Sequence, residues 1–243
     1  MRLAFTLLDW QAGAPGLDDI ADWQYWSKQP GAVINVDQPL AKCRQLPMMM
    51  ARRLSSGSRL AVDCGLALLR RQVVDAIVFT SRHGELERNL RILLALSRNE
   101  NLSPTDFAMS VHNAAVGSLT IAAAAALVST SLAAGMDSFQ QGMVEVAALH
   151  SAGYNNILLV DFDGVIPEFY HQHIPVQMPR YPYAVALLLG PGEEIRCKSM
   201  PAVGHDEPNL PQSLQFLHAV LAQKPGFLIR GERLNWLWEG RYV

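Results

Sequence analysis

The chain has 243 residues, half of them hydrophobic and only 17% charged, with a net charge of −2. That length suits one α/β core of roughly 200 to 250 residues, and the balanced charge, with no basic stripe, excludes a nucleic-acid-binding surface. The low charged fraction leaves two readings open, a buried subunit interface or a large monomeric core.

Leu3 to Leu8 reads as a strand, and Asp9 and Trp10 stop its apolar run too early for a signal-peptide core. Residues 11–56 read as irregular, rich in Gly, Pro, Gln and Trp, with Trp23 and Trp26 as packing anchors or interface residues. The pairs Arg52-Arg53 and Arg70-Arg71 read as solvated helix faces. Ser58 to Val73 has helical spacing through Leu60, Ala61, Cys64, Leu68 and Leu69. Asp75 to Phe79 is a buried strand, and Glu85 to Ser97 an amphipathic helix. Ser103 to Asp106 opens a turn, followed by a strand from Phe107 to Val111. Asn113 to Ala126 is an apolar helix of small residues. Leu127 to Ser131 is a short strand that leads into Leu132-Ala133-Ala134-Gly135, and Met136 to Ala152 is a helix. After the turn Gly153 to Asn156, Ile157 to Phe162 is a strongly apolar strand. From Gly164 to Pro182 the chain reads as irregular. Tyr183 to Leu189 is a last strand, ended by Gly190-Pro191-Gly192, and Pro211 to Leu221 is the tail's one helix, before Trp236, Trp238 and Tyr242. The β/α rhythm predicts a mixed sheet layered with helices on both faces, as a single domain over 1–243 with a C-terminal extension over 191–243. The most apolar stretch, Ile121 to Val128, is too short to span a bilayer.

Cys43, Cys64 and Cys197 are far apart and odd in number, which predicts reduced thiols in a cytoplasm, neither a disulfide nor a zinc site. No cofactor or metal is expected. Glu168, His171 and His173 with Asp161 and Asp163 offer a metal-site alternative if the two histidines share a strand face. Surface histidines in a loop are the commoner arrangement. His83 beside Arg82 and Glu85, and His205 beside Asp206 and Glu207, read as solvated loop charges.

Ser129 to Gly135 is the most informative segment. A strand that meets a helix through small residues exposes one side chain beside the helix's positive N-terminus, where free amides stabilise an oxyanion. In a nucleophile elbow that residue is Ser or Cys. Here it is Leu132, which cannot attack, accept a proton or bind metal. Ser129, Thr130 and Ser131 read as turn hydroxyls.

Three segments in order, Ser110-Val111-His112-Asn113, Gly117 to Ile121 and Thr130 to Gly135, resemble the N-terminal half of β-ketoacyl synthases. Those enzymes carry a serine-x-x-asparagine segment and then an alanine-cysteine-small-small-glycine elbow. Thr80 to Glu85 and the strand Tyr183 to Leu189 fit the same family, so the resemblance covers about residues 60–190. It implies a thiolase-like α/β fold. The chain departs from the family at Leu132, in place of the catalytic cysteine, and at Ala124 to Leu127, where a Gly-Pro loop is shortened. The family's two histidines come from a second half, and this chain ends about where that half begins.

A short, cysteine-less chain of this kind resembles the chain-length-factor-like proteins of aryl polyene gene clusters. That resemblance implies a non-catalytic cytoplasmic subunit in a heterodimer with a catalytic β-ketoacyl synthase, fed by an acyl carrier protein. It also implies that Phe107 to Ala126 lies at the interface, with Phe107, Met109, His112, Val116 and Leu119 shaping the partner's acyl tunnel. The alternative for each of these residues is a plain core position. Two other readings stay open. Ile157 to Ile166 resembles the first motif of haloacid-dehalogenase-type phosphatases, with Asp161 and Asp163 as the magnesium-assisted pair. A stand-alone scaffold that binds acyl carrier protein is the other.

Overall fold

The computed structural model describes residues 1–31, 33–40, 42–202, 204 and 207–241. His205, Asp206 and Tyr242 lie outside the described residues. Among the described residues the strands form one sheet of seven.

Its centre is β4, Ile157–Asp163, every residue of which is buried. A strand covered on both faces needs apolar residues at every position, and the run Ile157 to Val160 supplies them. On one side β4 pairs in parallel with β2, Ala76–Thr80, which pairs in parallel with the edge strand β3, Val128–Leu132. On the other side it pairs antiparallel with β5, Tyr183–Pro201. β5 also pairs with β1, Arg2–Gly13, and then with β7, Leu234–Gly240, which pairs with β6, Gly226–Ile229.

Side-chain alternation along the strands divides the core in two. Ile157 and Leu159 face α7, Ser138–Ser151, and α8, Gln212–Leu221, with Trp23 and Trp26 of α1, Ile20–Ser27. Leu158 and Val160 face α3, Ser56–Leu69, and α6, Ala114–Ala123. The expected mixed sheet with helices on both faces is present. Among the described residues, no helix is long and apolar enough to cross a membrane.

Four sequence expectations are corrected. The stretch 11–56 contains the end of β1, the helix α1 and the short α2, Met48–Ala51. An Asp19–Asp22 capping box starts α1. Phe107 to Val111 is not a strand, because Pro104–Ala108 forms a short helix, α5. Ser103 Oγ accepts from the Asp106 amide and Pro104 opens the first turn, a start signal that outweighs the apolar pattern. β5 does not end at Gly190. Its pairing with β1 jumps from Gly190 opposite Thr6 to Ile195 opposite Phe5, so residues 191–194 bulge out. A Cβ at Gly192 would come within 1.9 Å of Thr6 Oγ1, so only glycine fits there. Finally, the tail holds the β6–β7 hairpin as well as α8, with Trp236 and Trp238 buried in the core.

Candidate functional site

β3 ends at Leu132, and Ala133 and Ala134 lead to Gly135, whose φ of +59° is left-handed backbone that favours glycine. A 3₁₀ turn, Gly135–Asp137, enters α7. The strand–turn–helix segment read from the sequence is therefore present; Leu132 is the last residue of its strand, paired with Thr80 and half-buried against the core face shared by α7 and α8. The turn is internally bonded. Ser138 Oγ accepts from the Ala134 amide at 3.0 Å and donates to Gly135 O at 2.8 Å. Asp137 is buried beneath it and accepts from Gln212 Nε2 and the Glu232 amide at 3.1 Å, and from the Arg233 amide at 3.4 Å. This carboxylate ties the elbow to α8 and to the β6–β7 turn. Nothing in the sequence separated Asp137 from an ordinary first-turn acid.

A narrow cleft of about 40 Å³ lies beside the elbow, lined by Gly135, Ser138, His83, Asp161 and Tyr183 among others. Ligand pockets run to roughly 300–1,000 Å³, so this one has room for water but not for an acyl chain. Thr80 Oγ1 donates to Asp161 at 2.6 Å, Ser213 Oγ at 2.5 Å and the Tyr183 hydroxyl at 3.3 Å. Burial pushes the Asp161 carboxyl up to about 7, against the opposing pull of these donors, and the Asp163 charge adds to the rise. Asp163 accepts from Ser81 Oγ at 2.6 Å and the His83 amide at 2.8 Å. Both carboxylates thus link strands to helices and loops. Among the described residues, no three His, Cys, Asp or Glu side chains gather where a metal could be held. His171 and His173 lie on a 3₁₀ turn, Glu168–His173, not on the strand the metal-site alternative required.

Arg82, His83 and Glu85 are not solvated loop charges. Arg82 pairs with Glu207, His83 is half-buried and Glu85 is buried. Burial holds the His83 pKa below the usual histidine value. Glu85 Oε1 accepts from Ser58 Oγ at the start of α3, and its other oxygen lies 3.4 Å from Arg88 Nε.

The residues expected to shape a tunnel separate into two groups. Val116 and Leu119 are 4% and 0% exposed on α6, inside the core formed with α3. Within this chain both are buried against α3. Phe107, on α5, is 66% exposed, a costly position for an aromatic ring. Met109 packs on the edge of the core, and His112 Nε2 sits 3.1 Å from Ser81 O. An apolar groove of about 700 Å³ runs between α2, α5 and α6, lined by Met49, Met50, Leu54, Met109 and Ile121. Val111, Ile121 and Val128 are also exposed, and Val128 lies on β3, the edge strand of the sheet.

A layered mixed sheet with a strand–turn–helix elbow at its edge is the architecture of the condensing-enzyme fold. The family model for the β-ketoacyl synthase N-terminal domain matches residues 23–239. The chain belongs to that family. It is 56% identical, over 98% of its own length and 99% of the other's, to a chain in the complex of a ketosynthase, ApeO, with its chain length factor, ApeC, from Xenorhabdus doucetiae, with a TM-score of 0.95. The ishigamide ketosynthase/chain length factor shares the fold at 14% identity, covering 82% of this chain and 67% of that one, with a TM-score of 0.65. So does the AntDE:AntF complex, a type II polyketide synthase acyl carrier protein with its ketosynthase, at 9% identity, covering 99% and 100%, with a TM-score of 0.73. Comparison with the curated proteins gives no match. Family membership replaces the phosphatase reading of Asp161 and Asp163, which sit on the central strand of a ketosynthase-type sheet.

Proposed function

We propose that this chain is a chain length factor of aryl polyene biosynthesis, a non-catalytic cytoplasmic subunit that pairs with an active β-ketoacyl synthase. One observation carries the reading: the chain is 56% identical, over nearly its whole length, to one from a ketosynthase–chain length factor complex, and its strand before the α7 turn ends on leucine. Leu132 stands in place of the catalytic cysteine, so condensation belongs to the partner. The open edge of β3 and the exposed apolar side chains Phe107, Val111, Ile121 and Val128 support a partner-covered face. Phe107, Met109 and His112 are the residues of this chain that reach toward the partner's acyl tunnel, while Val116 and Leu119 act behind them as packing. The growing chain arrives on an acyl carrier protein. The free thiols of Cys43, Cys64 and Cys197 accord with a reducing compartment.

Co-expression with a catalytic β-ketoacyl synthase of the ApeO kind tests the pairing. A 1:1 complex whose product length shifts on Phe107→Ala supports the proposal. Failure to co-purify, or condensing activity from this chain alone, refutes it.

A further inference from the structure

The helix α4, Leu86–Ser97, is built unlike the other long helices. It carries Leu90, Leu93, Leu94 and Leu96, yet Arg88 is its one buried residue. No side chain of α4 joins either core cluster, and Leu93 and Leu96 are more than half exposed. Hydrophobic burial therefore does not hold this helix in place.

Its hold is ionic. Arg88 is 3% exposed and its guanidinium reaches three separate segments. Nε faces Glu85 at the start of α4, Nη1 donates to Asp106 Oδ1 on α5 at 2.6 Å, and Nη2 donates to Arg53 O beyond α2 at 2.8 Å. Glu85 in turn accepts from Ser58 on α3. One planar fork thus joins two of the segments that line the apolar groove, α5 and the residues after α2, and Asp106 is the immediate neighbour of Phe107. A buried ion pair adds little net stability once desolvation is counted, but its geometry admits few alternative arrangements. Arg91 Nη2, half-exposed on α4, donates to the same Asp106 oxygen at 3.0 Å, and Glu87 accepts from the Ser56 amide at 3.2 Å, so Arg88 is the buried member of a small set of polar ties.

We propose that Arg88 is a positioning residue that fixes the α4–α5 arm, and through Asp106 sets where Phe107 stands relative to the partner's acyl tunnel. The effect on product rests on the chain-length-factor reading; the anchoring does not. Two measurements separate them. The first is hydrogen–deuterium exchange on the purified full chain. Arg88→Met raises exchange over 86–111 by at least about tenfold while β2 and β4 keep their protection. Arg88→Lys, with the charge but not the fork, restores part of it. Asp106→Asn, a milder change, loosens the same segment and serves if Arg88→Met does not fold. Unchanged exchange over 86–111, or an equal rise throughout the sheet, overturns the anchoring.

The second measurement is product length from the complex with the ketosynthase. Arg88→Met broadens the length distribution more than it lowers total turnover, and Arg88→Lys narrows it again. An unchanged distribution beside a clear shift for Phe107→Ala overturns the positioning role and leaves the function standing. An unchanged distribution for both variants overturns the tunnel-shaping function, while the exchange data still decide the anchoring.

Discussion

Leu119 tests whether α6 is core or tunnel. It is fully buried, and it lies so close to α3 that a Cβ at Gly65 would come within 2.9 Å of its Cδ2. Leu119→Ala removes three carbons from a contact that the two helix backbones cannot easily close, since each is tied to the sheet. The expected loss is about 3 kcal/mol, within the range for buried leucines. For a chain of this size that lowers Tm by about 6–12 °C. Gly65→Ala alone overpacks the same contact and costs about 1–3 kcal/mol. In the double variant the new methyl enters the space the leucine left, so the two losses do not add, and the coupling is at least about 1 kcal/mol. Urea unfolding of the four proteins measures this cycle. The ketosynthase complex carrying Leu119→Ala keeps its product length. Additive losses, or a stable Leu119→Ala variant with altered product length, would refute the core assignment.

Leu132→Cys on its own gives no condensing activity in the isolated chain, because the elbow amide of Ala134 is already bonded and the adjoining cleft is too small for an acyl chain; radiolabelled thioester assays check it, and turnover would contradict the pseudoenzyme reading. Asp161→Asn changes the pH dependence of stability. Burial raises this carboxyl from 3.8 to about 7, so the folded chain keeps a proton that the unfolded chain has released. Its contribution is complete below 3.8, declines as pH rises and is lost above about 7. Wild type therefore loses up to about 1 kcal/mol per pH unit relative to Asp161→Asn across that window, with His83 and Asp163 common to both proteins; parallel stability curves would contradict it. Asp137→Ala removes the acceptor shared by the Glu232 and Arg233 amides and by Gln212 Nε2, which keeps Arg230 O, and costs about 1–2 kcal/mol. Exchange should rise first over 230–234, and no change there would show that the elbow is not tied to the hairpin.

Elements with one dominant signal were legible in the sequence. The uninterrupted apolar run of β4 and the small-residue elbow before α7 both survive because a covered strand and a tight turn each admit few residue types. The strand misread at Phe107 to Val111 shows a pattern overruled by two residues, Ser103 and Pro104, that satisfy and shape a helix start. The Gly-Pro-Gly after Leu189 signals a stop only when the neighbouring strand cannot absorb a bulge, and β1 can. The β6–β7 hairpin was hidden because Trp236 and Trp238 become core only through pairing with β5 and packing by α8. At the candidate site, the turn after Leu132 was readable because a strand ending in small residues and glycine is a local pattern. The Arg88 anchor was not, since Arg53, Ser58, Glu85 and Asp106 converge only in three dimensions. Val116 and Leu119 show the same limit: helical spacing marks an apolar face but not whether the chain or a partner covers it.

The register between β1 and β5 sets a condition on synthesis. Arg2 pairs with Lys198 and Gly13 with Ala184, so β1 waits for residues 184–198 before it finds its place. Until then the other strands, β2, β3 and β4, can assemble in parallel with α3 and α7, while β1 stays an unpaired edge in the nascent protein. Contacts this distant in sequence close slowly, and an idle edge strand invites pairing with another chain. Correct pairing of β1 thus depends on the nascent chain keeping that edge free until residues 184–198 emerge.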